Sequence, residues 1–253
     1  YYLYERMVYF GKSRIHYTEV DSTNEELKRL FSSKELENGT LLTADFQTGG
    51  KGQMGSNWES SRGKNFLGTF FLNSIVPLSE VFVLNMIVSL ALRETVAEFV
   101  KGNVEIKWPN DIVVNRNKIA GILIENKFKL NELAGSFLGI GLNLNQKSFH
   151  GFARSGTSIA KEVGCLVNQE NIISRMCFHI QQFYSLYQLK GFETINFIYQ
   201  QDLYLKGEEH KFKIGKDTRY LTLQSVSKQG DLQLFNQFGK IEEFGLKEIQ
   251  FLL

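Results

Sequence analysis

The sequence predicts an α+β fold: a mixed, mainly antiparallel sheet flanked by helices, with a small β-barrel at the C-terminal end. Three observations carry this. Segments 104–108, 112–114, 119–125 and 136–143 read as consecutive apolar strands, which argues against alternating βαβ units. Long helical patterns flank that block, at 79–100 and at 168–203. Beyond residue 206 the pattern changes to short alternating strands with regular turn signals. The chain therefore divides into a larger domain, 1–205, and a smaller one, 206–253. With 43% hydrophobic and 22% charged residues in 253, it has the composition of a folded protein, and disordered or collagen-like classes are excluded.

The elements follow in order. At residues 22–31, Ser22 or Thr23 can cap a helix with Glu25 or Glu26 three residues on, and Leu27, Leu30 and Phe31 form one apolar face. Residues 39–44 are a short strand candidate, and the aromatic run 65–72 reads as a buried strand. Between them lies the glycine-rich loop 47–58. In the helix expected at 79–100, Ser79 caps, Glu80 sits in the first turn and Gly102 stops it. It is apolar on most sides, as a core helix would be. Asn115-Arg116-Asn117-Lys118 makes a tight turn between two strands. Two more helices are expected at 168–190 and 192–203. Residues 220–223 and 232–235 alternate apolar and polar, with turns at 227–230 and 237–240.

Charge and composition exclude several functions. Lys plus Arg is 29 against 27 Asp plus Glu, a net +2, which is too balanced for a dedicated nucleic-acid binder. Cys165 and Cys177 make no disulfide framework and no CxxC metal spacing, and four scattered histidines give a zinc site little support. The first residues lack a basic region followed by an apolar run, so no signal peptide is expected. The most apolar window, 81–92, is interrupted by Asn85 and Ser89 and is too short to span a bilayer. A cytoplasmic protein is the default expectation.

Three segments carry chemistry. Gly49, Gly50, Gly52 and Gly55 surround Lys51, and clustered backbone N–H groups with a lysine suit a phosphate or carboxylate. Most glycine-rich surface loops bind nothing, however. This one is not a Walker A loop, and no helix follows to make it a dinucleotide turn. Lys107-Trp108-Pro109-Asn110-Asp111 places Pro109 as a strand stop and leaves Asn110 and Asp111 at a strand end. Asp111 there suits a magnesium ion near phosphates, and a plain turn fits the spacing equally well. Lys118-Ile119-Ala120-Gly121-Ile122-Leu123-Ile124-Glu125 puts a lysine at the mouth of an apolar strand whose glycine would let a ligand lie on the sheet. Its ordinary alternative is a hairpin with an exposed lysine.

Taken together with Asp21-Ser22-Thr23-Asn24 and Gly139-Ile140-Gly141-Leu142-Asn143-Leu144-Asn145, these segments resemble, in order, the signatures of the biotin protein ligases. The resemblance covers roughly residues 15 to 145, and the C-terminal segment looks like that family's SH3-like barrel. It implies the sheet of the class II aminoacyl-tRNA synthetase and biotin ligase type. It also implies an ATP-dependent enzyme that makes biotinyl-5′-AMP with Mg2+ and passes the biotinyl group to one lysine of a biotin carboxyl carrier protein or domain.

By the same resemblance, Ser22, Thr23, Asn24 and Gln47 would form the biotin pocket. Gly50, Lys51, Gly52 and Gln53 would close over it, and Lys118 would contact the reacting oxygens. Gly121, Gly139 and Gly141 would let the sheet approach the ligand. Trp58 and Asn143 would lie by the adenine, Lys107 and Asn110 on the ATP side, and Asp111 by the metal. Lys51 and Lys118 would be the catalytic pair.

The family often carries arginine at the Lys51 and Gln53 positions. Lys51 keeps the charge without the bidentate fork, and Gln53 loses it. Only about twenty residues precede Asp21, too few for the DNA-binding domain of the family's repressor members, so a monofunctional ligase without specific DNA or membrane binding is expected. Monomer and homodimer both stay open. The alternatives are a lipoate or octanoate ligase or transferase, the transferase needing a cysteine nucleophile, and a non-catalytic biotin-binding regulator.

Overall fold

The structure, a computed structural model, describes residues 8–33, 35–73, 76–130, 132–149 and 156–252. Seven strands form the main sheet: β1 (Arg14–Tyr17), β2 (Leu41–Ala44), β3 (Phe66–Leu72), β4 (Val104–Lys107), β5 (Asp111–Val114), β6 (Asn117–Lys129) and β7 (Glu132–Leu142). Their order is β1-β2-β3-β7-β6-β5-β4. Among the described strands of this sheet only β1 and β2 pair in parallel, so the sheet is mixed and mainly antiparallel, as the succession of strands predicts. Every residue of β3 is buried, which its aromatic run requires.

One face of the sheet is covered by α2 (Val83–Ala97), α4 (Gln169–Lys190) and α5 (Phe192–Gln201), and the other carries α1 (Thr23–Ser33). Most of α2 is buried, which accounts for its apolar character on nearly all sides. In α1, Leu27 packs with Leu42, Phe71 and Phe137 on the opposite face. The β5–β6 hairpin turns at Asn115 and Arg116, both with positive φ (47° and 70°), the left-handed pair a two-residue hairpin loop demands.

Several boundaries differ from expectation. The helix expected from Ser79 begins at Val83. Ahead of it Pro77 opens a 3-10 turn, Leu78–Glu80, in which Glu80 N–H reaches back to Pro77, so Ser79 does not cap. The capping box at Ser22/Thr23 does not form either. Glu25 faces Lys28 and Lys51, and Glu26 faces Tyr17 and Arg29. Strand β1 and the five-residue helix α3 (Ile159–Val163) were not expected. Each is too short to show a period, although Ser158 caps α3 and Gly164 ends it at φ 80°.

The C-terminal strands are β8 (Glu209–Ile214), β9 (Asp217–Val226), β10 (Leu232–Phe235), β11 (Ile241–Phe244) and β12 (Ile249–Phe251). They form an antiparallel sheet in the order β11-β10-β9-β8-β12. This antiparallel sheet is consistent with the expected SH3-like barrel, although among the described residues its edge strands β11 and β12 do not pair and the barrel is not closed. It is not separately cored: Phe212, Leu221, Leu223 and Leu232 belong to the same apolar cluster as α2 and β5. Trp108 Nε1 donates to Gly230 O at 2.8 Å, and the Gln200 amide exchanges hydrogen bonds with the Val226 backbone.

Candidate active site

The site grows out of the period-two alternation of a strand. In β7, Leu138, Ile140 and Leu142 belong to the helix-side core, while Phe137 joins the cluster beneath α1. Gly139 and Gly141 share Phe137's face, and Gly141 stands opposite Gly121 of β6 in the ladder. The sheet floor is therefore bare backbone. A Cβ on Gly121 would come within 2.8 Å of Trp58 Cζ3, and one on Gly141 within 2.6 Å of Trp58 Cζ2, so the indole lies where side chains would stand. A Cβ on Gly139 would strike the Leu123 carbonyl at 2.8 Å and the Asn24 amide.

The polar rim comes from the start of α1. Ser22, Thr23 and Asn24 are buried. Thr23 donates through both N–H (2.7 Å) and Oγ1 (3.0 Å) to Gln47 Oε1. Asn24 Nδ2 donates to Glu125 Oε2 at 2.7 Å and to Leu123 O at 3.2 Å, and the Thr69 hydroxyl lies 2.6 Å from Asn24 Oδ1. These polar groups are buried and interlocked, and such networks hold their geometry.

The glycine-rich loop folds over this floor. Gly52 N–H bonds Ser56 O at 2.7 Å, Trp58 N–H bonds Gly50 O at 2.9 Å, and Lys51 bridges to Asn57. Gly50 serves this turn rather than the cavity: a Cβ there would stand 2.7 Å from Trp58 O. Lys51 Nζ reaches Glu25 Oε1 at 2.7 Å. That contact holds the Glu25 carboxyl below its usual range and raises Lys51.

On the far wall Lys118 Nζ sits 2.6 Å from Asp111 Oδ1 and 5.4 Å from the centre of the Trp58 ring. Asn110, after the cis Trp108–Pro109 bond, continues the strand ladder by exchanging bonds with Ile122 through its own carbonyl and its Nδ2. Lys107 lies over the Phe251 ring at 5.2 Å.

Together these residues enclose a cavity of about 480 Å3, within the roughly 300–1,000 Å3 of small-molecule sites. Ser22, Thr23, Asn24, Gln47, Lys51, Gly52, Gln53, Trp58, Lys107, Asn110, Asp111, Lys118, Gly121, Gly139 and Gly141 all line it. Gly50 and Asn143 do not. Asn143 is buried and its Nδ2 holds the Thr157 carbonyl at 3.0 Å, so it fastens the segment before α3 instead of facing the cavity; its Oδ1 is buried without a partner. Leu246, Ile249, Gln250 and Phe251 of the C-terminal sheet complete the wall. Sequence reasoning missed these four, which bear no motif; the only hint was the neighbourhood of a second, smaller domain.

Three lysines and one carboxylate line the cavity, a balance that draws anions. No group of three or more His, Cys, Asp or Glu side chains suited to a metal occurs among the described residues. Neither cysteine lines the cavity. Cys165 is exposed, and burial pushes the Cys177 thiol up to about 11, so no thiol nucleophile serves the site. No described helix is long and apolar enough to cross a membrane.

Comparison with known proteins places this geometry. A biotin protein ligase from Aquifex aeolicus, solved with biotin and ATP, superimposes with a TM-score of 0.77 at 26% identity, over 94% of this chain and 98% of that one. The Bacillus subtilis bifunctional ligase/repressor BirA is 28% identical over 85% of this chain, which spans 65% of that relative's length. A biotin–[acetyl-CoA-carboxylase] ligase of Paracoccus denitrificans is 29% identical over 69% of this chain and 74% of its own. The model of the biotin/lipoate A/B protein ligase family matches residues 17–143, half of the sequence and all but the C-terminal wall of the cavity. The chain belongs to that family.

Proposed function

We propose that this protein is an ATP-dependent biotin protein ligase. The observation that carries the reading is the pairing of a glycine floor with a lysine-rich mouth: Gly121, Gly139 and Gly141 below, Lys51, Lys107 and Lys118 around. A compact bicyclic acid fits beside the glycine stretch of the sheet, where only the Trp58 indole and Asn24 stand against the backbone, and the lysines would face the end where its carboxylate meets a triphosphate.

In the first step a biotin carboxylate oxygen attacks the α-phosphorus of ATP, the bond to the β-phosphate breaks, and pyrophosphate leaves. Both reactants are anionic, so charge must be screened where they meet. Lys118, fixed by Asp111, and Lys51, fixed by Glu25, supply positive charge in place before the reaction, which spares the reorganisation that water would require. The interlocked Thr23, Asn24 and Gln47 provide donors and acceptors for the ureido ring. In the second step a carrier lysine attacks the biotinyl carbonyl as a neutral amine, loses a proton, and AMP leaves. The mixed anhydride is already activated, so the protein's part is to position the amine and exclude water.

Magnesium fits this site in a limited way. Among the described residues Asp111 is the one carboxylate on the cavity wall, and Mg2+ bound to substrate phosphates commonly takes only one or two carboxylates. Asp111 would hold the ion, which would neutralise phosphate charge. Lys107 and Asn110 lie beside it on the ATP side. Residues 1–205 form the catalytic body on this reading, and 206–253 contribute a wall through Leu246 to Phe251.

The partner is a biotin carboxyl carrier protein or domain. The test is incubation with biotin, ATP and Mg2+ plus an isolated carrier domain, followed by mass spectrometry. One biotinyl group added to one lysine is expected. An unmodified carrier, or lipoyl addition in preference to biotinyl, would sink the proposal.

A further inference from the structure

The middle of the glycine-rich loop, residues 50–57, has one polar tie to the rest of the protein among the described residues. Among the described residues, the Lys51–Glu25 ion pair is the only hydrogen bond or salt bridge that leaves residues 50–57; the others close within the loop or on Trp58 at its end. The sequence of that stretch holds a single apolar side chain, Met54. Glu25 does not line the cavity. It stands in the first turn of α1, and its Oε1 is shared with Lys28 Nζ at 3.2 Å. Lys28 in turn meets Glu125 Oε1 at 2.7 Å, and Glu125 Oε2 accepts from Asn24 on the cavity rim. A chain of alternating charges thus runs from the loop lysine to the polar rim.

We propose that Glu25 is the positioning residue of this loop: it anchors Lys51 on α1 and so keeps the loop folded over the cavity before substrate arrives. A loop of glycines and polar residues has little packing to oppose opening, so one ion pair outside its own turn decides how often it is closed. Lys28 and Glu125 hold the Glu25 carboxylate in place, which lowers the entropy that the pair would otherwise lose on forming. The kinetic consequence rests on the ligase reading; the loop's closure does not.

The test combines hydrogen exchange with kinetics on the whole chain. In Glu25→Gln without ligand, amides of residues 50–57 exchange about two- to fivefold faster than in the parent, the range a half-exposed ion pair supports. Lys51→Met gives the same acceleration, and adding Glu25→Gln to it gives no more. Glu25→Asp falls between parent and Gln. The KM for biotin rises by a similar factor in Glu25→Gln and rises no further when that substitution is added to Lys51→Met, a dependence that general destabilisation would not produce. Because a half-exposed pair is screened by salt, the parent's loop exchange also quickens toward the mutant's in about 1 M salt. Unchanged loop exchange in Glu25→Gln overturns the proposal, and so do additive effects of the two substitutions, since Glu25 would then act other than through Lys51. If the parent makes no biotinyl adenylate, the ligase reading fails and the exchange arm alone judges the anchor.

Discussion

Strand β7 presents two different surfaces. Toward α2 it sets Leu138, Ile140 and Leu142 into the apolar core; toward α1 it sets Phe137, Gly139 and Gly141, and the last two bear no side chain, so that Asn24 and the Trp58 indole stand against the backbone at the cavity floor. On the proposed function, the same backbone carries stability on one side and recognition on the other. Removing atoms should therefore hurt the first face and adding them should hurt the second.

The largest effect is expected on the core face. Leu138 is 1% exposed and does not line the cavity. Leu138→Ala should cost about 2–5 kcal/mol of stability, read by urea unfolding, while the biotin Kd of the folded fraction stays put. A similar loss of biotin affinity would break the contrast.

Next comes Lys118→Ala, on the cavity side. Losing one charge-stabilising donor should slow single-turnover adenylate formation by about 10²- to 10³-fold, with a smaller shift in thermal midpoint than Leu138→Ala. Near-normal adenylate synthesis would remove Lys118 from the reaction. The third variant fills the floor. Gly141→Val places atoms where the Trp58 indole lies, and overpacking of about 1–3 kcal/mol should weaken biotin binding by about tenfold or more, measured by titration calorimetry. Unaltered affinity would mean that the floor is not where biotin rests.

The smallest effect lies away from both faces. Arg219 grips Glu242 through two bonds at 2.6 and 2.8 Å, tying β9 to β11, and with Asn236 it holds the Glu242 carboxyl down to about 2. A carboxyl depressed in the folded state contributes stability above its ordinary value of 4.5 and loses it as pH falls toward 2. The pair is partly exposed, so Arg219→Met should flatten the acid side of the stability curve by less than about 1 kcal/mol. Adenylate formation should not change. An acid limb identical to the parent's would show that the pair contributes nothing.

How much of this was legible in the sequence follows from the same physics. The alternation Gly139-Ile140-Gly141-Leu142 and the lysine before Ile119-Ala120-Gly121 are local patterns, and both mark the floor and its cation. Gly50 and Asn143 belong to recognisable motifs too, but whether a residue faces the cavity depends on how a loop turns. Gly50 folds into the loop's own hairpin, and Asn143 is used by Thr157, fourteen residues on. Leu246 and Phe251 reach the cavity only because the C-terminal segment is tied back to residues 80–108, through Lys228 to Glu80, Gly230 to Trp108 and Phe251 beneath Lys107, long-range contacts with no sequence period. Strand β1 owes its place to parallel pairing with β2, again a tertiary effect. The open edges of the C-terminal sheet depend on register, which short strands specify weakly.

The central claim, that the glycine-floored cavity activates biotin with ATP, is tested most directly by biotin-dependent exchange of labelled pyrophosphate into ATP. The account predicts exchange that requires biotin and Mg2+, is not supported by lipoate or octanoate, and falls in Lys118→Ala. Exchange driven by lipoate, or none with biotin while the protein is folded, would contradict it.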